Sequence, residues 1–370
     1  MALTNFAALT DEQLTVWQRT TWRAAREHMF INQFLGSDEN SMIQRITELT
    51  RDEKGARAVI TLVTDLEDDG VAGDRFLEGN EEAMVSDDQV IQIDQLRHAV
   101  RNKGRMADQR SVVKFRENAR NNLAYWLANR HDQLAFLTMS GVSYAKTNNG
   151  ANRPKQELAN LAYAADISAP SANRHYRWDG NAGGFEAGDT SAIDDSEDQV
   201  SYEMIVKART LAEDNYIRPL RTKNGVEWYN IFMTPKGFEA LKLDENFQKA
   251  YRSARERSPN NPLFQGANVI YLDGMAIYKH RYVYNTTGAA SGEKWGQSGT
   301  DDGQRVLLCG AQALALADLG APYWVEKKFD YDNQPGISVG KMGGLLKPKF
   351  HSIYNQSTED FGIIAIDTAL

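Results

Sequence analysis

Carboxylates crowd one stretch of the chain: Asp65, Glu67, Asp68, Asp69 and Asp74, then Glu78, Glu81 and Glu82. Asp65, Glu67, Asp69 and Gly70 match positions 1, 3, 5 and 6 of a calcium loop, but position 12 falls on Phe76, where a bidentate glutamate is required. The run reads as a solvated loop tip, and no metal is expected. Paired carboxylates can also serve acid–base hydrolysis, so a carboxylate-dependent hydrolase built on residues 65–82 stays as an alternative. Ser-x-x-Lys occurs twice, at Ser111 to Lys114 and at Ser143 to Lys146, without the Ser-Asp-Asn or Lys-Thr-Gly that penicillin-interacting enzymes add. The histidines, at 28, 98, 131, 175, 280 and 351, form no metal pair, and His131-Asp132 alone makes no triad. Phosphate-cradling and nucleophile-elbow glycine motifs are absent. The expectation is no catalytic residue and no cofactor.

Periodicity supplies the elements that must position these residues. Thr10 and Gln13 have capping-box spacing and Leu9 and Leu14 staple spacing, which predicts a helix from Asp11 through Trp17, Trp22 and Phe30 to near Gly36. A short helix is expected over 41–49. Residues 55–65 and 89–94 are β-prone and flank the acidic stretch, giving a long two-stranded excursion with a wide tip. Such a ribbon is marginal alone in water, so it needs something to lie on. Val112, Phe115, Ala119, Leu123, Trp126, Leu127, Leu134 and Leu137 recur at spacings of mostly three or four, predicting a helical strut over about 109–140, ~48 Å long.

Residues 145–199 are polar and read mostly as an ordered insertion loop. Beyond it come a helix at 199–215, a strand at 228–233, and a helix at 235–257 capped by Thr234 with Pro235 at its first position. Strands follow at 269–272 and 275–284, then a flexible glycine-rich loop at 285–303. The alanine-rich run 307–319 suggests a strand turning into a helix. The basic piece from Lys341 to Lys349 reads as a solvated loop, and β-prone pieces close the chain. This order is α+β, without a doubly wound sheet.

Composition narrows the class further. The chain has 370 residues, enough for one large or two medium domains. Forty-two basic and 50 acidic side chains give a net charge of −8, which repels nucleic acid and anionic membrane alike. No apolar run approaches the length of a membrane span, and the expected setting is a cytosol. The single cysteine, Cys309, excludes an internal disulfide and reads as a small buried hydrophobe. Seven Trp and 15 Tyr favour a large core or large interfaces.

The element order (arm, β-ribbon, spine helix, separate α/β unit, return to β structure) is similar to the Hong Kong 97-type fold of tailed-phage major capsid proteins. The stretch Gly70-Val71-Ala72-Gly73-Asp74-Arg75-Phe76-Leu77-Glu78-Gly79-Asn80-Glu81-Glu82 resembles a signature of the N-four-type phage major capsid family. It continues with Ile93 to Val100, Gln109-Arg110 and Leu123-Ala124-Tyr125-Trp126; later pieces at 228–235, 261–267 and 308–313 agree.

The resemblance implies an N-terminal arm at 1–50, an extended loop at 51–107 and a peripheral domain with the spine helix at 108–215. An axial domain at 216–320 and a C-terminal β part of the peripheral domain at 321–370 complete the division. It assigns assembly contacts to Gly70, Gly73, Asp74, Gly79, Asn80, Glu81, Glu82, Asp94 and Arg97 of the extended loop. Trp17, Trp22 and Phe30 of the arm, large aromatics on a peripheral element, are expected outside the main core, as assembly anchors on another subunit or as a clasp on their own. The core of the spine helix falls to Phe115, Leu123, Trp126 and Leu127. The implied function is a subunit that self-assembles through pentamers and hexamers into an icosahedral head, built in the host cytoplasm. The implied partners are portal, scaffolding and decoration proteins, and packaged double-stranded DNA contacted without sequence specificity; no membrane is involved. A cellular nanocompartment shell shares this fold and is the nearest alternative.

Overall fold

Strand pairing, more than helix packing, organises this chain. The structure is a computed structural model that describes residues 11–47, 57–63, 69–82, 86–110, 115–194, 197–222, 225–253, 269–352 and 355–370. One six-stranded sheet runs Leu35–Gly36, Ile43–Ile46, Leu314–Asp318, Gln334–Leu346, Tyr323–Phe329, with Asp94–Arg101 also pairing along Gln334–Leu346. An eight-stranded sheet runs Val269–Leu272, Met275–Lys279, Glu227–Met233, Gly303–Cys309, Ile363–Ala369, His175–Asp179, Gly184–Ala187, with Leu220–Arg221 beside Glu227–Met233. Two ribbons stand apart, Arg57–Val63 with Ser86–Gln92 and Lys349–Ser352 with Ser357–Asp360.

Phe115–Ser140 is helical and about 39 Å long at 1.5 Å per residue. Its first half packs one face, Ala119, Leu123 and Leu127 with half-buried Phe115 and Trp126, on Trp324, Ile337 and Val339 of the six-stranded sheet. Its last seven residues are wholly buried, in a core that takes Phe232 and Leu307 from one sheet and Leu314 and Leu345 from the other. Arg105–Arg110 is also helical, and Ser111 to Lys114 lie outside the described residues. On the eight-stranded sheet a second core gathers Met204, Ile205 and Ala208 of helix Tyr202–Asp214 with Phe238 and Leu241 of Pro235–Leu243.

Several elements depart from the sequence reading, each for a reason visible in the packing. The segment expected to be helical at 41–49 contains the strand Ile43–Ile46, because pairing with Leu314–Asp318 buries Ile43 and Ile46 together. The alanine-rich run is two strands, Gly303–Cys309 and Leu314–Asp318, turned at Gln312 with φ +50. Every residue of both strands is buried, and a strand covered on both faces shows no alternation to distinguish it from a small-residue helix. The helix expected at 235–257 is two, Pro235–Leu243 and Glu245–Ser253, divided where Asp244 turns extended and its carboxylate accepts the N–H of Asn246 at 2.9 Å. Thr234 does cap the first, accepting the N–H of Gly237, with Pro235 in the first turn.

The insertion at 145–199 is more than loop, since His175–Asp179 and Gly184–Ala187 extend the eight-stranded sheet. Sheet membership also crosses the sequence division: Leu314–Asp318 joins the six-stranded sheet, and Ile363–Ala369 the eight-stranded one.

Candidate assembly surfaces

Seven residue pairs join Arg57–Val63 to Ser86–Gln92 in antiparallel register. Alternation decides the ribbon's faces: Ala58, Ile60, Leu62 and Ile91 are buried with Ile46, Ala315, Ala317 and Leu346, while Val59 and Val90 face outward. The base of the ribbon therefore lies on its own subunit, which supplies the support a two-stranded ribbon needs. What projects is 69–82, where every residue but Val71 and Glu82 is exposed.

The tip is ordered by its own contacts. The Asn80 N–H donates to the Leu77 carbonyl at 3.0 Å, the Asn80 amide to the Phe76 carbonyl at 3.0 Å, and the Gly79 N–H to the Glu81 carboxylate at 2.8 Å. Gly70, Gly73 and Gly79 hold φ of +70°, +73° and +89°, left-handed backbone that glycine adopts without strain. The turn leaves Phe76 85% and Leu77 60% exposed. Asp74, Asn80, Glu81 and Glu82 share this tip; Asp94 and Arg97 do not. Both lie in the strand Asp94–Arg101, where the Asp94 carboxylate accepts the N–H groups of Gln95 at 2.7 Å and Ala162 at 2.8 Å. Asp94 is thus engaged inside its own subunit, and Arg97 is exposed opposite Gly340.

The N-terminal helix covers Asp11–His28, short of the expected Gly36, and a 3-10 turn follows at Ile31–Phe34. The Asp132 carboxylate takes the N–H groups of Phe30 at 3.0 Å and Ile31 at 3.1 Å, binding the exit of this helix to the spine helix. Burial pushes the Asp132 carboxyl up to about 6, against the lowering effect of those two backbone donors. Phe30 does not project from the core as the sequence reading expects; it stacks on His280 at 4.3 Å and meets Phe34, Phe136 and Phe232. Trp22 is half-buried beneath the Lys341 ammonium, 3.8 Å from its ring centre, and the side chain of Trp17 lies outside the described residues. Trp126 stacks on His98 at 4.6 Å.

Sequence reading missed a set of buried charges that join the elements. Arg305 and Asp367 face each other across Gly303–Cys309 and Ile363–Ala369, and His175 adds its Nε2 2.6 Å from the same carboxylate. Burial would raise the Asp367 carboxyl, but the Arg305 charge and hydrogen bonds from His175 and Arg305 hold it below the ordinary range. Arg305 also donates to the carbonyl of Ser140 at 2.8 Å, fastening the end of the spine helix to the eight-stranded sheet. Elsewhere Arg174 pairs with Glu359 at 2.9 Å and Lys347 with Asp360 at 2.7 Å, all four side chains 1% exposed. Asp318 takes Lys341 at 2.5 Å and Arg45 at 2.6 Å. Lys341 and Lys347 are therefore interior residues, not members of a solvated basic loop. Desolvation of so many ions is tolerated because each charge meets its opposite.

Among the described residues, the chemistry weighed from sequence does not come together. Among the described residues no group of three or more His, Cys, Asp or Glu converges to hold a metal ion. Ser143 is exposed and accepts the N–H of Ala145, while Lys146 lies 3.9 Å from Glu293. Asp65 and Glu67 lie outside the described residues. Burial raises the Cys309 thiol far above its ordinary range, which keeps it an inert core side chain. What the described residues offer is an ordered, apolar-tipped turn at 69–82.

A family model described as phage capsid protein matches residues 5–370. The chain belongs to the phage capsid protein family. A major capsid protein of Pseudomonas phage KPP25 is 54% identical over 367 residues, covering 99% of this chain and 97% of that relative. Among solved structures, the capsid of Ralstonia phage GP4 matches with a TM-score of 0.73 at 26% identity, covering 92% of this chain and 90% of that one. The capsid of cyanophage Pam1 shares the fold, with a TM-score of 0.70 at 18% identity over 100% of this chain and 96% of the other. The architecture is the Hong Kong 97 type, and the subunit is a phage major capsid protein, a structural component of the virion that builds capsid shells. The nanocompartment and hydrolase readings give way to it.

Proposed function

We propose that this capsid subunit assembles through pentamers and hexamers into the icosahedral head of a tailed phage, with residues 69–82 of one subunit laid on its neighbour. The observation that carries this reading is the tip itself: a turn ordered by its own hydrogen bonds that holds Phe76 and Leu77 out in solvent. Water-facing aromatic and aliphatic side chains on a preorganised turn are interface anchors, since their burial requires little further ordering. Gly70, Gly73, Asp74, Gly79, Asn80, Glu81 and Glu82 shape this contact. The unit built on the eight-stranded sheet surrounds the symmetry axes, and the six-stranded sheet with the spine helix forms the peripheral unit.

In this reading the head forms in the host cytoplasm and encloses double-stranded DNA without reading it, because a chain of net charge −8 lacks the phosphate contacts tight binding requires. Portal, scaffolding and decoration proteins are the remaining partners. Deleting residues 69–82 and imaging the expressed protein by electron microscopy tests the reading. A folded subunit that no longer closes shells is the expected result; normal shells from the deletion overturn it.

A further inference from the structure

The tip needs a receptor, and one cavity of the same chain has complementary shape and charge. Between the N-terminal helix, the spine helix and the six-stranded sheet lies a cavity of about 360 Å³. Trp22, Met29 and Leu316 are among its apolar walls, and Arg26, Arg45 and Lys341 supply the cations. A cavity of about 150 Å³ takes a benzene molecule, so this one has room for a phenyl ring and an isobutyl group together. Asp318, the one carboxylate on its lining, pairs with Arg45 and Lys341, and the lining keeps a net positive charge. Arg26 at its mouth is exposed. The tip has the opposite composition: Phe76 and Leu77 lead, flanked by Asp69, Asp74, Glu78, Glu81 and Glu82 against Arg75 alone.

We propose that this cavity is the socket for residues 76–77 of a second copy of the chain. The inference rests on the reading that the tip crosses to a neighbour, and adds where it lands. Apolar burial of Phe76 and Leu77 supplies the attraction, and a net positive lining with Arg26 exposed at its mouth favours the carboxylate-flanked tip over wrong dockings. A subunit carrying tip and socket on different faces makes head-to-tail contacts, which close into rings when the rotation per subunit allows. Because the socket is roofed by the N-terminal helix, whose exit Asp132 fastens to the spine helix, docking reports on that helix being in place.

Photo-crosslinking in assembled shells tests the proposal. Full-length chains bearing Phe76→benzoylphenylalanine, or in a second preparation Leu77→benzoylphenylalanine, are assembled as a minority with wild-type chain, so that shells form whatever the probe does alone. After irradiation, the crosslinked peptides are mapped by mass spectrometry. Adducts between subunits on residues 22–37 or 316–318 are expected, falling at least tenfold when the wild-type partner carries Arg26→Glu. Adducts between subunits that map elsewhere overturn the socket while leaving the crossing of the tip intact. No adduct between subunits from either probe overturns both.

Discussion

Arg305 and Asp367 stand directly opposite each other in neighbouring antiparallel strands, joined by Nε to Oδ1 at 2.7 Å and Nη2 to Oδ2 at 2.9 Å. Both side chains are almost fully shielded from water. A two-pronged contact of this kind lets one ion satisfy most of the other's hydrogen-bonding capacity, which offsets the cost of taking two charges from solvent. Through the Ser140 carbonyl and His175 it also ties the spine helix and the insertion to the same point.

Removing one partner of such a pair strands the other in the interior. Asp367→Ala is expected to cost about 3–5 kcal/mol in urea unfolding of the unassembled subunit at neutral pH. The double replacement Arg305→Met with Asp367→Leu should recover most of that loss, since no unpaired charge remains. A double variant as unstable as the single one would show that the pair itself, and not the orphaned ion, sets the cost.

Asp132 makes a prediction about pH. Its carboxyl is raised from 3.8 to about 6 in the folded chain, first by burial, so the folded subunit keeps a proton that the unfolded chain has released. Its contribution therefore falls as pH rises from about 4 to about 6, by about 3 kcal/mol at most, and stays flat above. Asp318 and Asp367, held below the ordinary 3.8, lose stability only at lower pH, whereas His131 and His280, lowered by burial to about 3 and about 4, gain stability as pH rises through the same window. The Asp132 share is therefore read as a difference: as pH rises from about 4 to about 7, the urea midpoint of Asp132→Asn should climb relative to that of the wild type, and a constant difference would count against the raised carboxyl.

The exposed tip separates assembly from stability. Phe76→Ala and Leu77→Ala remove side chains that touch little in the isolated subunit, so each should unfold within about 0.5 kcal/mol of wild type. Shell yield, measured by sedimentation, should fall steeply for the pair combined. A matching loss in subunit stability would place these side chains in the fold instead.

Local signals were legible where local physics decides the outcome. Thr234-Pro235 announced a helix start, the β-prone run about Ile60 announced a ribbon strand, and the spacing from Phe115 to Leu137 announced the spine helix. The glycine-punctuated run from Gly70 to Glu82 carried the family resemblance and proved to be the projecting tip. What stayed hidden depends on partners far along the chain. Ile43–Ile46 is a strand only because Leu314–Asp318 lies beside it. Lys341 and Lys347 look like surface lysines until Asp318 and Asp360 arrive. The one available hint was Asp367, an acid closing the apolar run Ile363-Ile364-Ala365-Ile366, where a charge implies a buried counter-ion.

The loop at 285–303 was expected to be flexible, and its hydrogen bonds argue otherwise. Trp295 and Asp301 exchange backbone bonds at 3.0 Å in both directions, Gly292 donates to Gly299 at 2.8 Å, and Gly288 and Gly296 reach Asn149 and Thr190. Trp295, only 7% exposed, lies flat enough on Gly303 that a Cβ there would collide with its ring, and it sits 5.9 Å from the Arg305 guanidinium. Gly303 thus seats the tryptophan that holds the loop, next to the buried pair that ties two strands of the eight-stranded sheet to the spine helix. Gly303→Ala should expel Trp295 and loosen the loop without breaking the strand, whose pairing to Ala369 is by backbone alone. Trp295→Ala should cost about 3–5 kcal/mol, the usual range for a buried tryptophan. Hydrogen exchange at residues 288–301 reads the effect directly: both variants should raise exchange there while Arg305 to Cys309 stay protected. If Gly303→Ala leaves the loop as protected as the wild type, the ring is not what fastens it.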